Sequence, residues 1–137
     1  MSTTYTFGKH VPGTPAEIRP AVEDALRAEG FGVITEIDVA AVMKAKLGLQ
    51  RPPYLILGAC NPELAHRAID IDPSIGALLP CNVVIRAEGD GSVVEAIDPV
   101  EAMQVADSPM LHDVALEARR RLARALKAVL PEPALVG

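Results

Sequence analysis

The sequence predicts an α+β fold in which an antiparallel sheet carries helices on one face. Three observations support this: apolar runs of strand length, a hairpin signal between the last two runs, and helix patterns that flank them. The predicted order is strand, helix, four strands, helix, with short helical insertions, and such segregation of strands and helices is typical of α+β folds. The 137 residues are predicted to form one domain, with 1–2 and 131–137 frayed.

The first strand and helix are predicted from local patterns near the N-terminus. Polar and aromatic residues alternate over 3–9, which indicates a short half-buried strand. Thr14, Pro15 and Glu17 then form the pattern of a capping box with proline at the first helical position, so a helix is expected to start there. Gly30 is placed to end that helix in the left-handed conformation.

The second and third predicted strands flank a short helix. Asp38 can cap a helix over 39–47, and the apolar run 54–60 is too short for a typical helix and is predicted to be a central strand. Asn61 followed by proline then predicts the start of another helix. Alternation in the second strand predicts one inner face, formed by Phe31, Val33, Thr35 and Ile37.

The C-terminal half is predicted to contain a hairpin and the longest helix. The runs 81–87 and 92–97 are separated by the turn residues 88–91, which predicts two antiparallel strands. A short helical turn is expected over 99–103. The last helix is predicted from 109 to about 130, because apolar residues recur along one side of it.

Composition excludes several classes of function. The net charge of −5 and the scarcity of aromatic residues, with two Phe, two Tyr and no Trp, argue against a nucleic acid partner, which requires clustered cations or aromatic stacking platforms. No apolar stretch approaches the roughly 20 residues that span a bilayer, so no membrane partner is expected. The first residues lack the pattern of a signal peptide, and we expect a cytoplasmic location.

The candidate site is a Cys-Asn pair that occurs twice, as Cys60-Asn61 and Cys81-Asn82. If the third and fourth strands are antiparallel neighbours, the end of one lies beside the start of the next, and Cys60 is expected near Cys81. Directly opposed residues have Cα atoms about 4.5 to 5.5 Å apart, within the roughly 4.4 to 6.8 Å of a disulfide. The four residues are therefore candidates for a ligand or redox site.

Three interpretations of the two cysteines remain open. They can pack as small apolar side chains, with the asparagines as caps. They can serve redox or ligand chemistry, because Cys60 precedes a helix N-terminus that would stabilise its thiolate. They can bind a metal, for which Cys60 and Cys81 with His66 are weak candidates, since two sulfurs leave a zinc site two ligands short. No catalytic motif is present, and the sequence assigns no cofactor and no catalytic residue.

Two long segments resemble the family called domain of unknown function 302. They are Tyr54–Pro62 and, some twenty residues later, Gly76–Ile85. The resemblance extends over nearly the whole chain and includes Glu29–Phe31, Glu36–Asp38 and Asp98–Met103. It implies a single α+β domain, similar to one half of the TATA-binding protein and commonly homodimeric, whose biochemical function is not established.

We therefore expect a homodimeric module that binds or senses a small molecule near Cys60 and Cys81. A thiol-redox or metal-binding protein is the alternative, and a purely structural module whose last helix or sheet edge forms a dimer surface is a third hypothesis. An enzymatic activity is not favoured.

Overall fold

The computed structural model describes residues 3–129 as five strands and five α-helices, with two short 3-10 turns at Pro73–Leu78 and Gln104–Ala106. The segments predicted to fray, and residue 130 of the predicted last helix, lie outside the described residues. The elements in chain order are β1 Thr6–Pro12, α1 Pro15–Ala28, β2 Gly32–Asp38, α2 Val39–Leu47, β3 Tyr54–Cys60, α3 Pro62–Ile71, β4 Cys81–Glu88, β5 Gly91–Ile97, α4 Pro99–Met103 and α5 Pro109–Ala128.

The strands form one antiparallel sheet in the order β1-β5-β4-β3-β2. Side chains on one face of the central strands are buried against α1 and α5. Seven residues of α5 are buried, so this helix supplies much of the cover. The predicted α+β fold with an antiparallel sheet is therefore confirmed. The central strands contribute Leu57, Ala59, Cys81, Val83, Ile85, Val94 and Ala96 to the core.

Helix α1 begins and ends at the residues that the sequence predicts. The Thr14 hydroxyl accepts a hydrogen bond from the Glu17 amide at 3.2 Å, and the Glu17 carboxylate accepts one from the Thr14 amide at 2.8 Å. At the other end, Gly30 has a φ of 85°. The Phe31 amide donates to the Leu26 carbonyl at 2.9 Å, which completes a Schellman motif and brings two apolar side chains together.

The predicted inner face of β2 is wrong because a β-bulge divides it. Val33 lies opposite Ala59 and Thr35 lies opposite Gly58, so Ile34 is the extra residue. An extra residue reverses the alternation of faces. Phe31 and Val33 consequently pack with the core, whereas Thr35 and Ile37 are exposed.

Strand β1 begins three residues later than the sequence predicts. The Thr3 hydroxyl accepts hydrogen bonds from the amides of Tyr5 and Thr6, at 3.1 and 3.0 Å, and so holds the start of the predicted strand in a turn. Side-chain hydrogen bonds of this kind compete with strand pairing. The strand instead extends to Pro12, which lies opposite Gly91 of β5.

A segment of the chain that begins within β2 and ends just after α2 leaves apolar side chains uncovered. None of the nine residues of α2 is buried, although seven of them are Val, Ala, Met or Leu. Of the nine large apolar side chains that are exposed within 3–129, five lie in this segment, which we call the 34–49 segment: Ile34, Ile37, Val42, Leu47 and Leu49.

None of the described helices is long and apolar enough to cross a membrane.

Candidate functional site

The two cysteines lie at one end of the sheet, on neighbouring strands. Strands β3 and β4 are antiparallel neighbours, as the sequence predicts, but Ala59 rather than Cys60 lies directly opposite Cys81. Cys60 is one residue further along β3, at the point where the chain turns into α3. This offset of one residue follows from the register in which β3 and β4 pair. Both cysteines are free thiols.

A small apolar pocket lies between this end of the sheet and the helices α3 and α5. Both cysteines line it, together with Asn61, Leu64 and Met103. Its volume is about 30 Å³. A water molecule needs about 10 to 15 Å³ of such space, and pockets for drug-sized ligands have about 300 to 1,000 Å³. The pocket can therefore hold only a very small occupant in this conformation.

The two thiols differ in their surroundings. Cys81 is 9% exposed within the core, and Cys60 is only partly buried. Burial, and to a smaller extent the charge of the nearby Cys60, raises the pKa of the Cys81 thiol from its ordinary value of 9.0 to about 11. Cys81 therefore remains a protonated thiol at neutral pH, when it is a poor nucleophile.

Asn61 joins the pocket to the start of α3. Its Oδ1 accepts a hydrogen bond from the Leu64 amide at 3.1 Å, which is the N-cap that the sequence predicts. The side chain is 6% exposed and reaches the end of α1, since a Cβ placed on Gly30 would lie 2.9 Å from its Nδ2. Asn61 thus fixes how two helix ends meet beside the pocket.

The structure does not bring the remaining candidate residues to the thiols. Asn82 is exposed and pairs with Gly58, on the face of the sheet opposite to Cys81. The His66 side chain is 76% exposed, and its Nε2 lies 3.3 Å from the carboxylate of Asp70 on the outside of α3. Over residues 3–129, no three His, Cys, Asp or Glu side chains are grouped as metal ligands.

The buried Cys81 thiol predicts a loss of stability in alkaline solution. The unfolded chain releases this proton near pH 9.0 and the folded chain near pH 11, so the folded state binds more protons between them and stability falls as the pH rises through this window. The full effect is about 3 kcal/mol, because each pKa unit corresponds to about 1.4 kcal/mol. We expect Cys81→Ala to lose this part of the pH dependence when urea unfolding is compared at neutral pH and within the window.

Cys60→Ala is the matched control for that measurement, because it removes the more exposed thiol. A slope of unfolding free energy against pH that is identical in wild type and Cys81→Ala would contradict the prediction. The comparison concerns slopes, because the smaller side chain also lowers stability at every pH.

A second cleft lies at the opposite end of the sheet, and sequence reasoning missed it. It has a volume of about 290 Å³ and lies between the start of α1, helix α2 and the segment before β3. Lys44, Arg51, Asp38 and Tyr54 line it. The sequence feature that could have indicated this cleft is a group of three cations, Lys44, Lys46 and Arg51, within eight residues of an acidic chain.

Comparison with known proteins relates the whole chain to one family. The family model described as "Domain of unknown function DUF302" matches residues 7–129. The crystal structure of an uncharacterized conserved protein DUF302 from Bacillus stearothermophilus is 27% identical to the chain, with a TM-score of 0.86, and the match covers 93% of this chain and 99% of that one. No curated protein matches the chain significantly.

Proposed function

Because the chain belongs to the DUF302 family, whose description assigns no function, we propose from its geometry that it is a homodimeric module that binds a small ligand beside Cys60 and Cys81. The observation that carries this proposal is the apolar pocket in which two thiols and the buried Asn61 converge. The acidic net charge of −5 supports the accompanying expectation of no nucleic acid partner.

The volume and lining of the pocket define the class of ligand. A space of about 30 Å³ admits a molecule of very few heavy atoms. The walls are mostly apolar, from Leu64, Ala68 and Leu79, so the ligand is a small apolar molecule. The soft Cys60 sulfur and the Asn61 amide are the polar groups available to orient it.

Xenon is a suitable probe, because it enters apolar cavities without a specific hydrogen bond. We expect the methyl carbon resonance of Met103 to shift with xenon pressure, since Met103 lines the pocket and is 7% exposed. The methyl groups of Met43 and Met110 lie outside it and serve as internal controls. Ala65→Leu, which fills the partly exposed side of the pocket, is expected to abolish the Met103 shift. A Met103 resonance that does not respond to xenon in the wild type would refute the proposal.

The 34–49 segment supports the dimeric part of the proposal. Its exposed apolar side chains accompany β2, whose outer edge has no partner strand within the described chain. The other edge strand, β1, carries Lys9, His10 and Pro12, which discourage further pairing. Two copies of β2 related by a two-fold axis are antiparallel to each other, so this surface is self-complementary. Helix α5 is a weaker candidate, because its apolar side is already buried.

Ile34→Asp is expected to weaken the dimer about tenfold or more, because the charge would be buried between two copies at the bulge of β2. Sedimentation velocity over a dilution series measures the change. Val105→Asp is the matched control, since Val105 is 78% exposed and lies in the 3-10 turn after α4. A wild-type protein that sediments as a monomer at every concentration would remove the dimer from the proposal.

A thiol-redox function of Cys60 and Cys81 is the alternative, supported by their positions on neighbouring strands. The raised pKa of Cys81 and the one-residue offset weaken it. Thiol titration before and after a mild oxidant separates the two functions. The binding module is expected to retain two titratable thiols after unfolding in both samples, whereas loss of both thiols after oxidation would favour the redox pair.

A further inference from the structure

We propose that the cleft lined by Lys44 and Arg51 binds a small organic acid, through a carboxylate or phosphate group held between the two cations. This site lies at the end of the sheet remote from Cys60 and Cys81, where β2 ends and β3 begins. The proposal does not depend on the pocket beside the cysteines, and part of the wall of the cleft belongs to the 34–49 segment.

The charges of Lys44 and Arg51 are not neutralised within the described part of the chain. Seven of the nine arginines form ion pairs with carboxylates of residues 3–129, and α5 illustrates the pattern with Arg119 on Asp98 at 2.9 Å and Arg124 on Glu29 at 3.0 Å. Within residues 3–129, neither Lys44 nor Arg51 has a carboxylate within 4.0 Å. In a chain of net charge −5, two unpaired cations in one cleft form a local site of positive potential.

The guanidinium of Arg51 is held in place by an aromatic ring of the cleft. It lies over the ring of Tyr54, with its central carbon 5.5 Å from the ring centroid. A guanidinium held over an aromatic ring by this attraction keeps N–H groups that can donate, and its planar set of donors matches a carboxylate or phosphate. Lys44 on α2 adds a second cation that can contact the same group.

The rest of the cleft suits the apolar part of such a ligand. Its volume of about 290 Å³ is close to the lower limit of small-molecule sites. Pro15, Ala40 and Leu55 form apolar walls. Asp38 also lines the cleft, and its Oδ1 accepts a hydrogen bond from the Ala41 amide at 2.9 Å. This carboxylate is engaged as the cap of α2, and its charge disfavours ligands with several negative groups.

Titration with benzoate, phenyl phosphate and inorganic phosphate, followed by amide and arginine side-chain NMR, tests the proposal. We expect saturable shifts confined to the cleft, with at least one of the two aromatic acids binding more tightly than inorganic phosphate. Arg51→Ala and Lys44→Ala are each expected to weaken binding about tenfold, which is the contribution of one hydrogen bond to a charged group. The preferred aromatic acid identifies whether carboxylate or phosphate is the better head group.

Lys46→Ala is the matched control. It removes the same charge from α2, but Lys46 does not line the cleft and lies on a different side of the helix from Lys44, two residues away. Binding that falls equally in Lys46→Ala and Arg51→Ala would show general electrostatic attraction and would overturn the proposal. Shifts that remain linear in ligand concentration would overturn it too, and tightest binding by inorganic phosphate would overturn the assignment to an organic acid.

Discussion

Phe31→Ala is expected to lower the free energy of unfolding by about 3 to 5 kcal/mol. The Phe31 side chain is 2% exposed, packs in the main core and also lines the pocket beside the cysteines. It follows Gly30 directly, and its amide donates to Leu26 at the end of α1. Truncation therefore leaves a cavity where α1 ends and β2 begins. Urea unfolding at neutral pH measures the loss.

Phe31→Leu is the informative companion, because it keeps an apolar side chain and retains most of the volume. We expect it to cost clearly less than the alanine variant. The exposed Val105, replaced by alanine, should change stability by no more than about 0.5 kcal/mol. Equal effects of the leucine and alanine variants would contradict the assignment of Phe31 to a closely packed site.

Gly8→Ala is expected to destabilise the protein by about 3 kcal/mol, near the upper end of the range for overpacking. Gly8 of β1 lies opposite Glu95 of β5. A Cβ at this position would collide with the Val94 carbonyl oxygen and lie 2.6 Å from the Glu95 Cα. Because these are backbone atoms, the clash cannot be relieved by a side-chain rotation, and β1 must move away from β5. Thermal and urea unfolding would both record the change.

Gly32→Ala is the control for this effect in another edge strand. A Cβ on Gly32 meets no atom within 4 Å, and its backbone does not have a positive φ. We expect no loss of stability, and a gain of about 0.4 to 1 kcal/mol is the usual result where alanine fits the backbone. A Gly8 variant as stable as the Gly32 variant would mean that β1 does not approach β5 as closely as described.

The elements that could be predicted accurately are those whose ends depend on nearby residues. Thr14 and Asn61 cap their helices as the sequence predicts, because each bonds an amide only three residues away. The hairpin between β4 and β5 was equally accessible, since its turn residues adjoin its strands. These features could be predicted because the competing arrangements are few and local.

The bulge at Ile34 could not be predicted, because it depends on how β2 aligns with β3, a partner that is distant along the chain. The same limit affected the candidate site. The sequence predicts that β3 and β4 are neighbours, but a shift of one residue in register decides that Ala59 opposes Cys81 and that Asn82 lies on the other face. The volume of the pocket depends on side chains from several elements, so no local sequence pattern predicts it.

The meeting of Gly30 and Asn61 has a consequence for the evolution of the family. Gly30 has a positive φ, and any Cβ there would also press on the carboxamide of Asn61. A substitution at either position therefore limits which side chains fit at the other position. Among related chains, we expect the two positions to covary: where residue 30 is larger than glycine, residue 61 should be a shorter cap such as serine, and the end of α1 should be displaced from the start of α3.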